Sequence, residues 1–149
     1  MPLWQESLQM AAGKLPKIIR PKSHAMIDYA VAGSFMLMGA LWWRRNRRAA
    51  VSSLICGGAT AVNNLLTDYP GGMFGVISYR SHGRIDTGIA GLTAAIPRFM
   101  SFRDQPEARF FTIHALGQTA ITGLTDFDHY KHPWSRPLSR EEGERPAQR

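Results

Sequence analysis

The sequence predicts an all-α fold: four transmembrane helices as two tandem helical hairpins, an internal duplication, with a short N-terminal amphipathic helix in front. Three observations predict it. The stretch Ser23-His24-Ala25-Met26-Ile27-Asp28, followed by Ala32-Gly33, returns as Ser81-His82-Gly83-Arg84-Ile85-Asp86, followed by Ala90-Gly91. The offset, 82 minus 24, is 58 residues, and it recurs without a gap: Ile55 matches Ile113, and Leu66-Thr67-Asp68-Tyr69 matches Leu124-Thr125-Asp126-Phe127. A fixed period over that length marks a duplicated supersecondary unit. Thirdly, four apolar runs separated by short charged turns each approach the roughly 20 residues that cross a bilayer core.

The elements follow in order. Residues 1–22 read as an amphipathic and basic N-terminal segment. Leu3, Trp4 and Leu8 share a helical stripe, and Lys14, Lys17, Arg20 and Lys22 come after it. Such a segment suits a membrane interface or a surface helix docked on the domain. Residues 23–128 form the four-helix membrane domain, with repeats 23–69 and 81–127. Ser23 is the expected N-cap of the first helix. From Tyr29 to Trp43 that helix carries no polar residue except Ser34, whereas a soluble bundle would show a polar face. Trp42-Trp43 and the Arg44-Arg45-Asn46-Arg47-Arg48 turn read as an aromatic belt and a charged stop.

The second helix, 49–66, is rich in the small residues that let helices approach closely in lipid, and Asn63-Asn64 should face its interior or the interface. Tyr69-Pro70-Gly71-Gly72 ends it, and 73–80 is a loop. Helices over 81–100 and 108–127 repeat the plan, the latter carrying His114 at the position of Cys56. Residues 129–149 form a polar C-terminal tail without apolar period, containing His129 and His132.

The chain's 149 residues fit one domain, and 18 Lys/Arg against 11 Asp/Glu give a net charge of +7. That balance favours anionic partners. In a membrane protein the Arg44–Arg48 cluster is a topology anchor and a lipid-headgroup contact. In a soluble bundle it would be a nucleic-acid patch. The single Cys56 excludes an internal disulfide and sits as a small buried packing residue. There is no Gly-x-Ser-x-Gly elbow, no phosphate loop and no defensible Cys–His pair, so the chain is not expected to be an enzyme.

The ionisable residues are the distinctive feature. Each repeat sets His and Asp four residues apart at a helix start, on one face, and another Asp at the end of the partner helix. His24, Asp28, Asp68, His82, Asp86 and Asp126 should therefore gather at one end of the bundle. A carboxylate at a helix C-terminus and an imidazolium at an N-terminus both oppose the macrodipole. Pairing His24 with Asp68, and His82 with Asp126, would offset the two and clamp each hairpin. The same six residues form a candidate metal set suited to Zn, Mn or Fe. A proton or ion relay, or haem held by the two histidines, are further readings, and the cofactor is left open. His114 reads as a satisfied core histidine.

His82, Asp86, Gly91, Ala94-Ala95-Ile96-Pro97 and Phe99 to Phe102 resemble the small bacterial integral membrane proteins called SPW-repeat proteins. Those proteins have two hairpins, each opening on a His-x-x-x-Asp helix and closing on Leu-Thr, as Leu66-Thr67 and Leu124-Thr125 do here. The Ser-Pro-Trp triplet itself is absent; Pro97 stands at its place in the second repeat. The resemblance covers about residues 22–128, implies four spans and brings no activity with it. The expectation is a multi-pass protein of the bacterial inner membrane, a non-enzymatic structural or accessory subunit. Its partners would be the lipid bilayer and other membrane subunits or a second copy, with no nucleic acid. The rivals are a metal- or haem-binding redox or transport component and a soluble basic bundle that binds nucleic acid.

Overall fold

Pro21 occupies the first turn of the first helix, where its missing N–H costs nothing, and Arg20 before it is extended without a side-chain cap. The computed structural model describes residues 16–128. Among these, four helices follow one another: α1 Pro21–Trp42, α2 Arg47–Leu66, α3 Tyr79–Phe99 and α4 Glu107–Leu124. The expected cap at Ser23 is corrected: Pro21 starts the helix two residues earlier, and Ser23 lies inside its first turn. Asn46 caps α2 by accepting from the Ala49 N–H, and Ser78 caps α3 by accepting from the Ser81 N–H. Glu107 opens α4, where a carboxylate suits the dipole, and it takes a 2.9 Å ion pair from Arg45. The expected N-terminal amphipathic helix and the C-terminal tail, with His129 and His132, lie outside the described residues apart from positions 16–22.

α1 packs on α2, α3 on α4, and α2 on α3. α1 and α2 approach closely at Gly57, where a Cβ would stand 2.9 Å from Phe35 Cβ and 3.0 Å from the Ala32 carbonyl, and at Gly39, where one would stand 2.8 Å from the Leu54 side chain. α4 meets α1 through rings. Phe110 lies edge-on to Phe35 and Trp42 at 5.1 and 5.4 Å, and His114 lies 4.7 Å from Phe35. Phe35, Trp42, Cys56, Ile96, Phe102 and Phe111 form the main core, with Cys56 fully buried as its sequence context suggests.

The other end is closed by two isolated bridges, Ile19 with Thr125 and Thr67 with Ile77. The Ile18 and Ile19 N–H groups donate to Leu124 O, and the Val76 and Ile77 N–H groups donate to Leu66 O. Each of these contacts maps on the other by 58 residues. The segment before each His-bearing helix is thus pinned to the end of a helix in the opposite or preceding hairpin, which fixes where each histidine begins its turn.

α1 and α2 are long and apolar enough to cross a membrane. α3 and α4 are not apolar enough, so two of the four expected spans have the length and composition to cross. The reason is polar load: α3 carries Arg80, Arg84, Asp86 and Arg98, and α4 carries Glu107, Arg109, His114 and Gln118.

Candidate metal centre

The helical register of α1 and α3 turns His24, Asp28, His82 and Asp86 to one place, and all four are buried. Their ligand atoms lie within 4.8 Å of one another. His24 Nε2 stands 3.2 Å from His82 Nε2, 3.2 Å from Asp28 Oδ2 and 3.1 Å from Asp86 Oδ2. His82 Nε2 stands 3.2 Å from Asp28 Oδ2 and 2.9 Å from Asp86 Oδ2. Five of the six separations are therefore nearly equal. An ion bound tetrahedrally at about 2.0 Å spaces its ligand atoms about 3.3 Å apart.

The threonines at the ends of α2 and α4 decide which ring nitrogens carry protons. Thr67 Oγ1–H donates to Asn63 O at 2.6 Å, and Thr125 Oγ1–H donates to Ile121 O at 2.7 Å. Each hydroxyl oxygen is then left as an acceptor. It takes Nδ1–H of a histidine: His82 onto Thr67 at 2.8 Å, His24 onto Thr125 at 2.9 Å. Both rings thus hold Nδ1–H and turn Nε2 toward the shared centre, the outer-shell arrangement usual around metal-bound histidine. Were both Nε2 atoms also protonated, two N–H dipoles would face each other across 3.2 Å.

With both imidazoles neutral, the two carboxylates would leave the buried group with two uncompensated negative charges; with both protonated, the His–Asp ion pairs balance it. The ion pairs of Arg45, Arg80 and Arg103 are with Glu107, Asp128 and Asp104, away from it. A buried charge requires a partner, and either protonated imidazoles or a divalent cation would supply it. Asn63 Nδ2 donates to Asp86 Oδ1 at 2.8 Å, holding that carboxylate from outside.

Rings cover the group. Tyr79 stacks near His82 at 5.9 Å, Tyr69 lies 5.2 Å from His82, and Phe127 stands edge-on to His24 at 5.2 Å. Gly83 is needed for this cover, since a Cβ there would meet the Phe127 ring at 2.9 Å. Tyr69 donates to Asn64 Oδ1 at 2.8 Å, and burial pushes its phenol pKa upward, so it stays neutral.

Of the six candidate ligands, four converge and two do not. Asp68 lies against Gly75 in the 73–78 loop, and Asp126 Oδ1 caps the Asp128 N–H. The expected clamps His24–Asp68 and His82–Asp126 are corrected accordingly. The helix-terminal partners are threonines, and His24 takes its threonine from the far end of the chain, 101 residues away. Haem between the two histidines is also corrected, because nitrogens 3.2 Å apart leave no room for a porphyrin. Asn63 and Asn64 are buried as expected. His114 is half-buried, donates Nδ1–H to Phe110 O at 2.9 Å and meets Ser34 Oγ at 2.9 Å, which suits a satisfied core histidine. Thr67, Thr125 and Asn63 were the missed functional residues. The recurrence of the threonine at the 58-residue offset was the available signal.

No family model matches the chain, and no curated protein or solved structure is significantly similar to it. The resemblance to SPW-repeat proteins rests on its residues alone.

Proposed function

We propose that the chain is a small multi-pass membrane protein, duplicated internally, whose two halves are joined by one divalent metal ion on His24, Asp28, His82 and Asp86. One observation carries this reading: four buried ligand atoms from two helices gather within 4.8 Å of one another, and five of their six separations are 2.9–3.2 Å, the scale of one ion's coordination sphere. Two imidazoles and two carboxylates of that geometry suit Zn²⁺ first, with Fe²⁺ and Mn²⁺ as weaker fits. Four protein ligands under an aromatic cover leave no open position for a substrate, which is the pattern of structural rather than catalytic zinc. The role is therefore that of a non-enzymatic membrane subunit whose fold is locked by its ion.

The outer surface supports the membrane part of the reading. Met26, Leu37 and Leu41 on α1, Val62 on α2, and Ile113 and Leu116 on α4 point outward with half or more of their surface exposed. Lipid would cover such faces, and the Arg44–Arg48 turn would sit among headgroups. The resemblance to SPW-repeat proteins adds four spans and a bacterial inner membrane to this proposal.

The test is metal analysis of the full chain purified in detergent, with Co²⁺ loading as an optical probe. One equivalent of Zn²⁺, displaced by Co²⁺ with tetrahedral visible bands and lost in His82→Ala, is the expected result. A folded protein that takes up no stoichiometric ion from added Zn²⁺, Fe²⁺ or Mn²⁺ would overturn it. Retention in the membrane pellet through high-salt and carbonate washes checks the membrane part separately.

A further inference from the structure

The end of the bundle opposite the His–Asp group is rich in arginine. Arg44, Arg45, Arg47 and Arg48 come from the α1–α2 turn, Arg98, Arg103 and Arg109 flank the α3–α4 turn, and all seven are exposed. Among the described residues the acids at this end are Asp104 and Glu107, paired with Arg103 and Arg45. The other end sets five cations, Lys17, Arg20, Lys22, Arg80 and Arg84, against five Asp, so the basic excess lies at the turns.

Polar contacts between the hairpins hold the turns together. Besides Arg45 with Glu107, Asn46 Nδ2 donates to Gln105 Oε1, and Arg48 donates to Ser101 O at 3.4 Å. Two open hollows result, with Gln105 and Pro106 as their common wall. One, of about 680 Å³, is bounded by Arg47 and Arg48, and the other, of about 590 Å³, by Arg103 and Arg109. Arg47 and Arg48 are also the first two residues of α2, where the positive end of the helix dipole disfavours a cation. An anionic partner relieves such crowding of like charge. The apolar border says what carries the anion. Beside the arginines, Leu41, Phe99 and Ile113 are 63, 79 and 68% exposed, and the Arg47 guanidinium lies 4.5 Å over the Trp43 ring. A soluble phosphate or a nucleic acid has no use for that border. The phosphates of a bilayer stand just beyond its acyl layer, at the depth that tryptophan takes.

We infer that the two turns together form a binding site for anionic phospholipid, taking a headgroup phosphate in each hollow. This rests on the membrane reading above and deepens it, from general contact with headgroups to a lipid of stated charge held where the hairpins meet. Arginine suits the role, since its planar fork bonds two phosphate oxygens at once. Because the larger hollow straddles the joint between hairpins, lipid bound there braces their docking.

Lipid competition tests it on the full chain reconstituted in phosphatidylcholine vesicles, with spin-labelled phosphatidylglycerol set against its phosphatidylcholine analogue. The native chain should select the anionic label. Arg48→Gln and Arg109→Gln, one for each hollow, should each lower that selectivity about fivefold, the effect of one cation at an anionic surface. Lys22→Gln and Arg84→Gln, exposed at the opposite end, remove the same charge and should leave it unchanged. Unlabelled phosphatidylglycerol should raise the native Tm, and raise it less when Arg48→Gln and Arg109→Gln are combined. Equal association of the two labels, equal losses at both ends, or displacement of the anionic label by inorganic phosphate would each overturn the site while the membrane reading stands. A chain that stays in the supernatant and does not enter the vesicles overturns both.

Discussion

The first half of the molecule, α1 and α2, and the second, α3 and α4, agree where chemistry is held and differ where helices pack. His24 and His82, Asp28 and Asp86, Thr67 and Thr125 stand at the same offset and make equivalent contacts. At the packing positions the pairs are Ser52 with Phe110, Ser53 with Phe111, and Cys56 with His114. Small residues let α2 lie directly on α3, and rings hold α4 off α1. Interior packing tolerates exchange of volume between facing elements provided the sum is filled. Four clustered side-chain atoms, with the hydroxyls behind them, tolerate far less. The comparison teaches that the His–Asp cluster holds both halves to the same residues, while the helix seams vary independently.

The largest effect that would break this symmetry is loss of a ligand. His24→Ala and His82→Ala should each abolish stoichiometric metal and cost about 3–5 kcal/mol, because the carboxylates are left buried and unpaired. Thermal unfolding with and without added Zn²⁺ measures it. The native protein should show a metal-dependent rise in Tm, from ligand binding to the folded state alone, and neither variant should. If one histidine proved dispensable, the halves would not be equivalent at the cage.

Next come the threonines. Thr67→Val and Thr125→Val remove the acceptor of His Nδ1–H while keeping shape, and each should weaken metal affinity about 10–100-fold. Equal losses by competition with a chromogenic chelator would sharpen the symmetry. A loss confined to Thr67→Val would show that His82 alone needs orienting. Asn63→Leu should weaken affinity about tenfold as well, with no counterpart in the second half, where Ile121 already stands.

How much of this was legible follows from the same division. The four helices and the convergence of His24, Asp28, His82 and Asp86 were readable, because a 58-residue offset and an i,i+4 spacing survive any detail of packing. The wrong partners, Asp68 and Asp126, came from treating each hairpin as self-contained and charge as the reason for pairing. Crossing of the second half's threonine onto His24 is set by how the hairpins dock, a tertiary fact that local dipoles do not encode. The unequal seams were visible as Ser-Ser against Phe-Phe, but only the structure shows that the larger pair faces α1. Of the four expected spans, length and composition support α1 and α2 only, since α3 and α4 carry charges that the duplication argument passed over.

A third way to probe the comparison is Gly57→Ala. Its counterpart is Ala115, which faces α3 beside an open groove of about 330 Å³ and so has room for its methyl, whereas a Cβ at 57 would meet the backbone of Ala32 at 3.0 Å. The substitution should cost about 1–3 kcal/mol, as overpacking does, read as a drop in Tm with metal stoichiometry unchanged. A neutral result would mean that the tight seam has slack.

The smallest effect is expected one residue on, and its sign is opposite. Gly58 lies in the interior of α2 with nothing within 4 Å of a built Cβ, and its counterpart is Leu116, which is 67% exposed. The position therefore asks for no glycine. Alanine there restricts the unfolded chain more than the folded one, so Gly58→Ala should raise stability by about 0.4–1 kcal/mol. Set beside Gly57→Ala, the pair separates close packing from helix propensity within one turn. A loss at Gly58 as large as that at Gly57 would place a second helix, from another subunit, against the face that the isolated chain leaves open.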